Sequence, residues 1–139
     1  MTIWVYVKKI GKKLQALKPC AFEIPGKPDS LKELIRALVE YNVSVYNHRL
    51  NHHDPSSLPS AQEMEDMAQA GKIGFGILYG TRESDPAEAV ETALEGFSDG
   101  LFRFFLNGNE ITELNAPLDL KDNDEITIIR LTMLTGGFF

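Results

Sequence analysis

Apolar and polar positions alternate from the start of the chain. Ile3, Val5 and Val7 share one face of residues 2–9, a stretch rich in β-branched and aromatic types, which predicts a strand. Gly11, set among Lys8, Lys9, Lys12 and Lys13, marks a turn, and residues 14–24 read as the return strand of a hairpin. Pro19 lacks an amide hydrogen and limits the middle of that strand to an edge or a bulge. After Pro25, Gly26 and Pro28, Ser30 and Glu33 have the spacing of a capping box, in which each side chain satisfies an orphan amide at a helix start. Leu31, Leu34, Ile35, Leu38 and Val45 then recur at helical spacing, predicting a helix over 31–47.

The middle of the chain is less regular. Residues 48–59 are polar and interrupted by prolines, the pattern of a loop. Ser60 and Glu63 repeat the capping spacing before a short helix over 61–70, with Met64, Met67 and Ala68 on its apolar side and Gly71 as its exit. Residues 72–79, containing Gly74 and Gly76, read as a short strand. Asp85-Pro86-Ala87-Glu88 supplies an N-cap, a proline in the first helical position and an early acid. Ala87, Val90, Leu94 and Phe97 line one side of the helix it opens.

The last third returns to strands. Residues 101–106 are aromatic and aliphatic, Asn107-Gly108 is a strong hairpin turn signal, and 109–112 can return. In residues 125–133, Ile126 and Ile128 face one way while Ile129, Leu131 and Met133 face the other. A strand apolar on both sides is expected to be buried on both sides. The helix over 86–97 is therefore expected to cover the sheet face opposite the 31–47 helix. The whole reads as α+β, one domain over 1–139.

Bulk properties narrow the class. The chain has 139 residues, 43% hydrophobic and 24% charged, enough apolar material for a core without covalent staples. The net charge is −6, but residues 1–27 hold six lysines against Glu23 alone, a balance of +5, so the remainder carries −11. An acidic body argues against nucleic acid as a partner, because that affinity comes from neutralising phosphates. One cysteine, Cys20, permits no internal disulfide. No stretch has the length of a membrane span, and lysines follow rather than precede the first apolar run, unlike a signal peptide. These features predict a cytoplasmic protein that meets other proteins, not membranes.

The order of elements, from hairpin and capped helix through an aromatic strand, an Asn-Gly turn and a long final strand to Gly136-Gly137, resembles ubiquitin and the wider β-grasp family. That family includes the sulfur carriers of thiamin and molybdopterin synthesis. The resemblance is carried by 1–47 and 101–137, with Leu101-Phe-Arg-Phe-Phe-Leu-Asn-Gly-Asn-Glu-Ile and Pro117-Leu-Asp-Leu as its most specific parts. It implies a mixed sheet gripping one main helix, with 48–100 as a helix-strand-helix insertion. It also implies a non-enzymatic protein-interaction module. The alternative it offers is a modifier or sulfur carrier, which an adenylating enzyme activates at Gly137 after a protease removes Phe138 and Phe139. Here the final strand runs about two residues longer before Gly136-Gly137 than the family pattern does.

Other candidate chemistry is thinner. Lys8, Lys9, Lys12 and Lys13 could form a docking patch for an acidic partner, or a solvated hairpin tip. His48 and His52 have i, i+4 spacing and could chelate a metal if the helix ran on, although Asn51 and Pro55 favour a loop. The glycine-rich run 71–80 lacks the Gly-Lys-Ser/Thr ending of a phosphate loop. No nucleophile–base pair, paired acids or metal set stands at a spacing that demands an enzyme or a cofactor.

Overall fold

The computed structural model describes residues 1–10, 14–16, 18–51, 61–76 and 85–131. Six strands occupy five positions of one mixed sheet. Strand β1 (Thr2–Ile10) pairs antiparallel with β2 (Leu14–Ala16) and β3 (Cys20–Glu23) on one edge. Its other edge pairs in parallel with β6 (Asp124–Leu131), from Ile3 opposite Asp124 to Ile10 opposite Leu131. Beyond β6 lie β4 (Phe102–Leu106) and β5 (Asn109–Ile111), both antiparallel to their neighbours.

The return strand is broken where Pro19 stands. Lys8 faces Ala16, whereas Val5 faces Cys20, so the returning segment carries one extra residue between the two ladders. That is the count of a bulge, and proline needs one because it cannot donate to a ladder. The second hairpin is as tight as its Asn-Gly pair requires. Asn107 and Gly108 have φ of 48° and 89°, the two left-handed residues of a primed turn. The Asn107 carboxamide is held by β6: its Oδ1 accepts from the Glu125 amide at 2.9 Å and its Nδ2 donates to Asp124 Oδ1 at 3.1 Å.

Helix α1 (Leu31–Asn51) lies across the sheet. The Ser30 hydroxyl accepts from the Glu33 amide at 3.3 Å, half of the expected capping box; the Glu33 carboxylate instead accepts from Arg36 Nε at 3.3 Å. Two further first-turn amides, those of Leu31 and Lys32, donate to the carbonyls of Ala116 and Leu114. The loop before β6 thus completes the helix start. Leu31, Leu34, Ile35, Leu38, Val39 and Val43 are buried against Ile3, Val5, Val7, Phe22, Phe104, Ile126 and Ile128.

Three expectations are corrected. The first helix does not stop at residue 47 but runs to Asn51, so part of the expected 48–59 loop is helical; residues 52–60 lie outside the described residues. The strand expected at 72–79 is absent from its described part: α2 (Ala61–Ala70) passes directly into a π turn, Gly71–Phe75. Gly76 ends that turn at φ 74°, its amide donating five residues back to the Gly71 carbonyl. Period-2 reasoning failed here because Ile73 and Phe75 alternate with glycines, and glycine carries no information about which face is wet.

The third correction concerns layers. Helix α3 (Pro86–Ser98) starts as expected, with Asp85 Oδ1 accepting from the Ala87 amide at 3.0 Å and Pro86 in its first turn. It does not cover the opposite sheet face. Ala89, Val90, Ala93 and Gly96 bury its small-residue side beside α1, on the same sheet face. Small residues allow that close approach. Helices α2, α1 and α3 therefore lie side by side, with α2 nearest β3 and α3 nearest β4.

Candidate interaction surface

Strand alternation fixes what the opposite face of the sheet presents. With Ile3, Val5 and Val7 inward, Trp4, Tyr6 and Lys8 of β1 face outward. Cross-strand partners share a face, so Thr127 and Ile129 of β6 and Arg103 and Phe105 of β4 join them. No described helix covers this side. Trp4 is 37% exposed, the one large hydrophobic that far open among the described residues, and its indole Nε1 donates to Asn123 Oδ1 at 3.4 Å. Tyr6, Phe105, Ile129 and Leu131 are half-buried. Charges rim this centre: Lys8 and Arg103 at one end, Glu125 and Glu23 at the other. An aromatic and aliphatic centre with a charged rim is the composition of a protein-contact surface.

Trp4 also reaches the rim of a groove of about 580 Å³ that follows the free edge of β3, lined by Pro19, Cys20, Tyr41, Val45 and Met67. Met1 and Ile24 exchange both backbone hydrogen bonds. Two-residue periodicity then turns the N–H and C=O groups of Ala21 and Glu23 away from β1. The Glu23 amide donates to the Tyr41 hydroxyl, opposing the rise in the Tyr41 pKa that burial and the Glu23 charge cause. Helix α2 closes the groove from above with Met67, which is 7% exposed. Asn42, the buried polar residue of α1, donates from Nδ2 to the Met67 carbonyl at 2.8 Å, while its Oδ1 accepts no hydrogen bond. Burying Met67 is worth roughly 1.5–3 kcal/mol. The orphaned Oδ1 costs about 1–3 kcal/mol. The two are of the same size, so the orphaned oxygen offsets much of what Met67 contributes at this point.

Cys20 sits under this groove, 7% exposed, and burial first, with the Asp66 charge second, pushes its thiol up to about 11. A thiol so raised is a poor nucleophile at neutral pH, which fits a structural cysteine. The raised value has a stability consequence. The folded thiol stays neutral above the unfolded value of 9.0, so its contribution is complete below pH 9 and is lost as pH climbs towards 11. Between pH 8 and 10 the native protein is expected to lose about 1 kcal/mol more unfolding free energy in urea than Cys20→Ala. Equal losses in the two proteins would contradict this.

The residues singled out from sequence scatter. Lys8 and Lys9 lie next to each other on β1 but point to opposite faces: Lys8 to the open face, Lys9 with Arg130 to the helical one. They form no common patch. Lys12, Lys13, Gly136 and Gly137 lie outside the described residues, as do Phe138, Phe139, His52, His53 and Asp54. His48 is in the last turns of α1, and no three metal-ligating side chains converge among the described residues. Arg130, half-buried with its pKa lowered by desolvation, lies against Gly76 at the end of the π turn, where helix-terminal carbonyls favour a cation.

Sequence reasoning missed Trp4 and the groove. The signal for Trp4 was available, since the alternation that buries Ile3, Val5 and Val7 must turn it outward. The groove had none, because it arises from where α2 lands. No described helix is long and apolar enough to cross a membrane. Comparison with family models, curated proteins and solved structures finds no match to this chain.

Proposed function

We propose that this chain is a ubiquitin-like β-grasp protein that works by binding other proteins, not by catalysis. The observation that carries the reading is the sheet face that no described helix covers: the three described helices lie on one side, leaving Trp4, Tyr6, Phe105 and Ile129 on the other. The β-grasp assignment is supported by the strand order, with the hairpin edge, then β1, β6, β4 and β5, and by the parallel pairing of the first and last strands around α1. Aromatic side chains anchor interfaces because they bury large area at little conformational cost.

The test is a photo-crosslinking amino acid placed at Trp4 or, as control, at Glu91 on the exposed side of α3, in the protein's own cells. A discrete adduct is expected from position 4 alone, and Ile129→Asp should abolish it. Equal adducts from both positions, or an adduct indifferent to Ile129→Asp, would count against the sheet face. The alternative, a modifier or sulfur carrier activated at Gly137, is separated by intact mass: it requires loss of Phe138 and Phe139, whereas the binding module keeps them.

A further inference from the structure

We propose that α2 is an intramolecular strap over the groove between β3 and α1, and that it lifts as a unit, about the π turn, while the sheet and α1 stay folded. This does not depend on what binds the sheet face. Among the α2 residues whose side chains are described, only Met67 and Ala70 are buried; Glu65 and Gln69 are exposed, and Asp66 and Ala68 half-buried. Helix α1, by contrast, commits two adjoining rows of aliphatic side chains to the core. The Asn42 amide that meets the Met67 carbonyl leaves its own oxygen unsatisfied at 0% exposure, so docking carries a penalty that lifting relieves.

A pivot is also present. The π turn that follows α2 opens at Gly71 and is fixed to the sheet by Gly74 and Phe75, so α2 can swing about the start of the turn while its end stays anchored. π turns mark places where a helix has given up regular hydrogen bonding. Lifting α2 bares Cys20, the Tyr41 ring and the outward N–H and C=O of Ala21. Those backbone groups are what an added strand would pair with. The strap thus roofs, in cis, the free edge of β3 with which another extended segment would pair.

Cys20 is the only cysteine in the sequence and lies beneath the strap, so it reports opening directly. The experiment uses the full chain and follows labelling of Cys20 by an aromatic disulfide reagent across low urea concentrations, beside global unfolding followed by far-ultraviolet circular dichroism. Labelling without urea should exceed what global unfolding permits by about tenfold or more and depend only weakly on urea. Met67→Ala should speed it by about tenfold or more while β1 and β6 amides keep their order of protection. If that variant fails to fold, amide hydrogen exchange of the native protein decides: Met67–Ala70 amides should open more readily than those of Val5 and Ile126. Labelling with the full urea dependence of global unfolding, or α2 amides protected as long as the core strands, would overturn the proposal.

Discussion

Phe102→Ala should destabilise the protein by about 3–5 kcal/mol in urea or thermal unfolding, the usual cost of emptying a buried aromatic site. Phe102 is 1% exposed on β4 and is where the π turn and α3 meet the sheet. Its ring meets Phe75 of the π turn edge-on at 6.0 Å and Phe97 of α3 at 5.9 Å and 59°. Each such pair adds about 0.5–1.5 kcal/mol beyond the area it buries. Gly96, next to Phe97 on α3, also closes on the ring: a Cβ there would lie 3.4 Å from it, at van der Waals contact, so little space is left on that side. Because two separate segments, the π turn and α3, close on one side chain, the cavity left by alanine cannot be filled by shifting either one alone. A loss under 1 kcal/mol would mean that the π turn and α3 are held to the sheet by something else.

The second large effect is expected at Gly74. A Cβ at this position would sit 3.4 Å from Val7 Cγ2 and 3.7 Å from Ile128 Cδ1, two buried residues in the centre of the sheet. Alanine therefore fits at ordinary van der Waals contact, whereas the branched end of leucine has nowhere to go. Gly74→Leu should cost about 3 kcal/mol, the upper end of ordinary overpacking. Gly74→Ala should cost under about 1 kcal/mol, helped by the restricted unfolded chain. Chemical denaturation of both variants separates steric exclusion from a general loss of glycine: equal costs would remove the close approach of turn and sheet as the reason for glycine here.

How far the fold was legible depends on which interactions were local. The primed turn at Asn107-Gly108, the cap at Asp85 with Pro86, and the bulge at Pro19 follow from single-residue stereochemistry and came through intact. The inward row Ile3, Val5 and Val7 was legible because one side of β1 meets the core and the other meets water. What failed was long-range. Ile129 and Leu131 looked like a second buried row, yet they lie on the side that no described helix covers and are only half-buried. Nothing in α3 alone says on which side of a sheet it packs. That was settled by its small residues finding α1. The glycine-rich π turn was unreadable by period because Gly74 packs against Val7 and Ile128, more than fifty residues away on either side. The lysines illustrate the same limit: neighbours in sequence on a strand are opposites in space.

The parallel pairing of β1 with β6 joins residues 3–10 to residues 124–131. During translation the first strand therefore waits, with one edge bare, for a partner that the ribosome makes more than a hundred residues later. At ordinary elongation speeds that wait is about 6–20 s, long against the microseconds in which its hairpin can form. A nascent chain with an unpaired apolar strand is open to the wrong neighbour for that interval. Folding should accordingly be completed only after release of most of the chain, and truncations that stop before residue 124 should leave a species that clumps instead of one that is merely less stable.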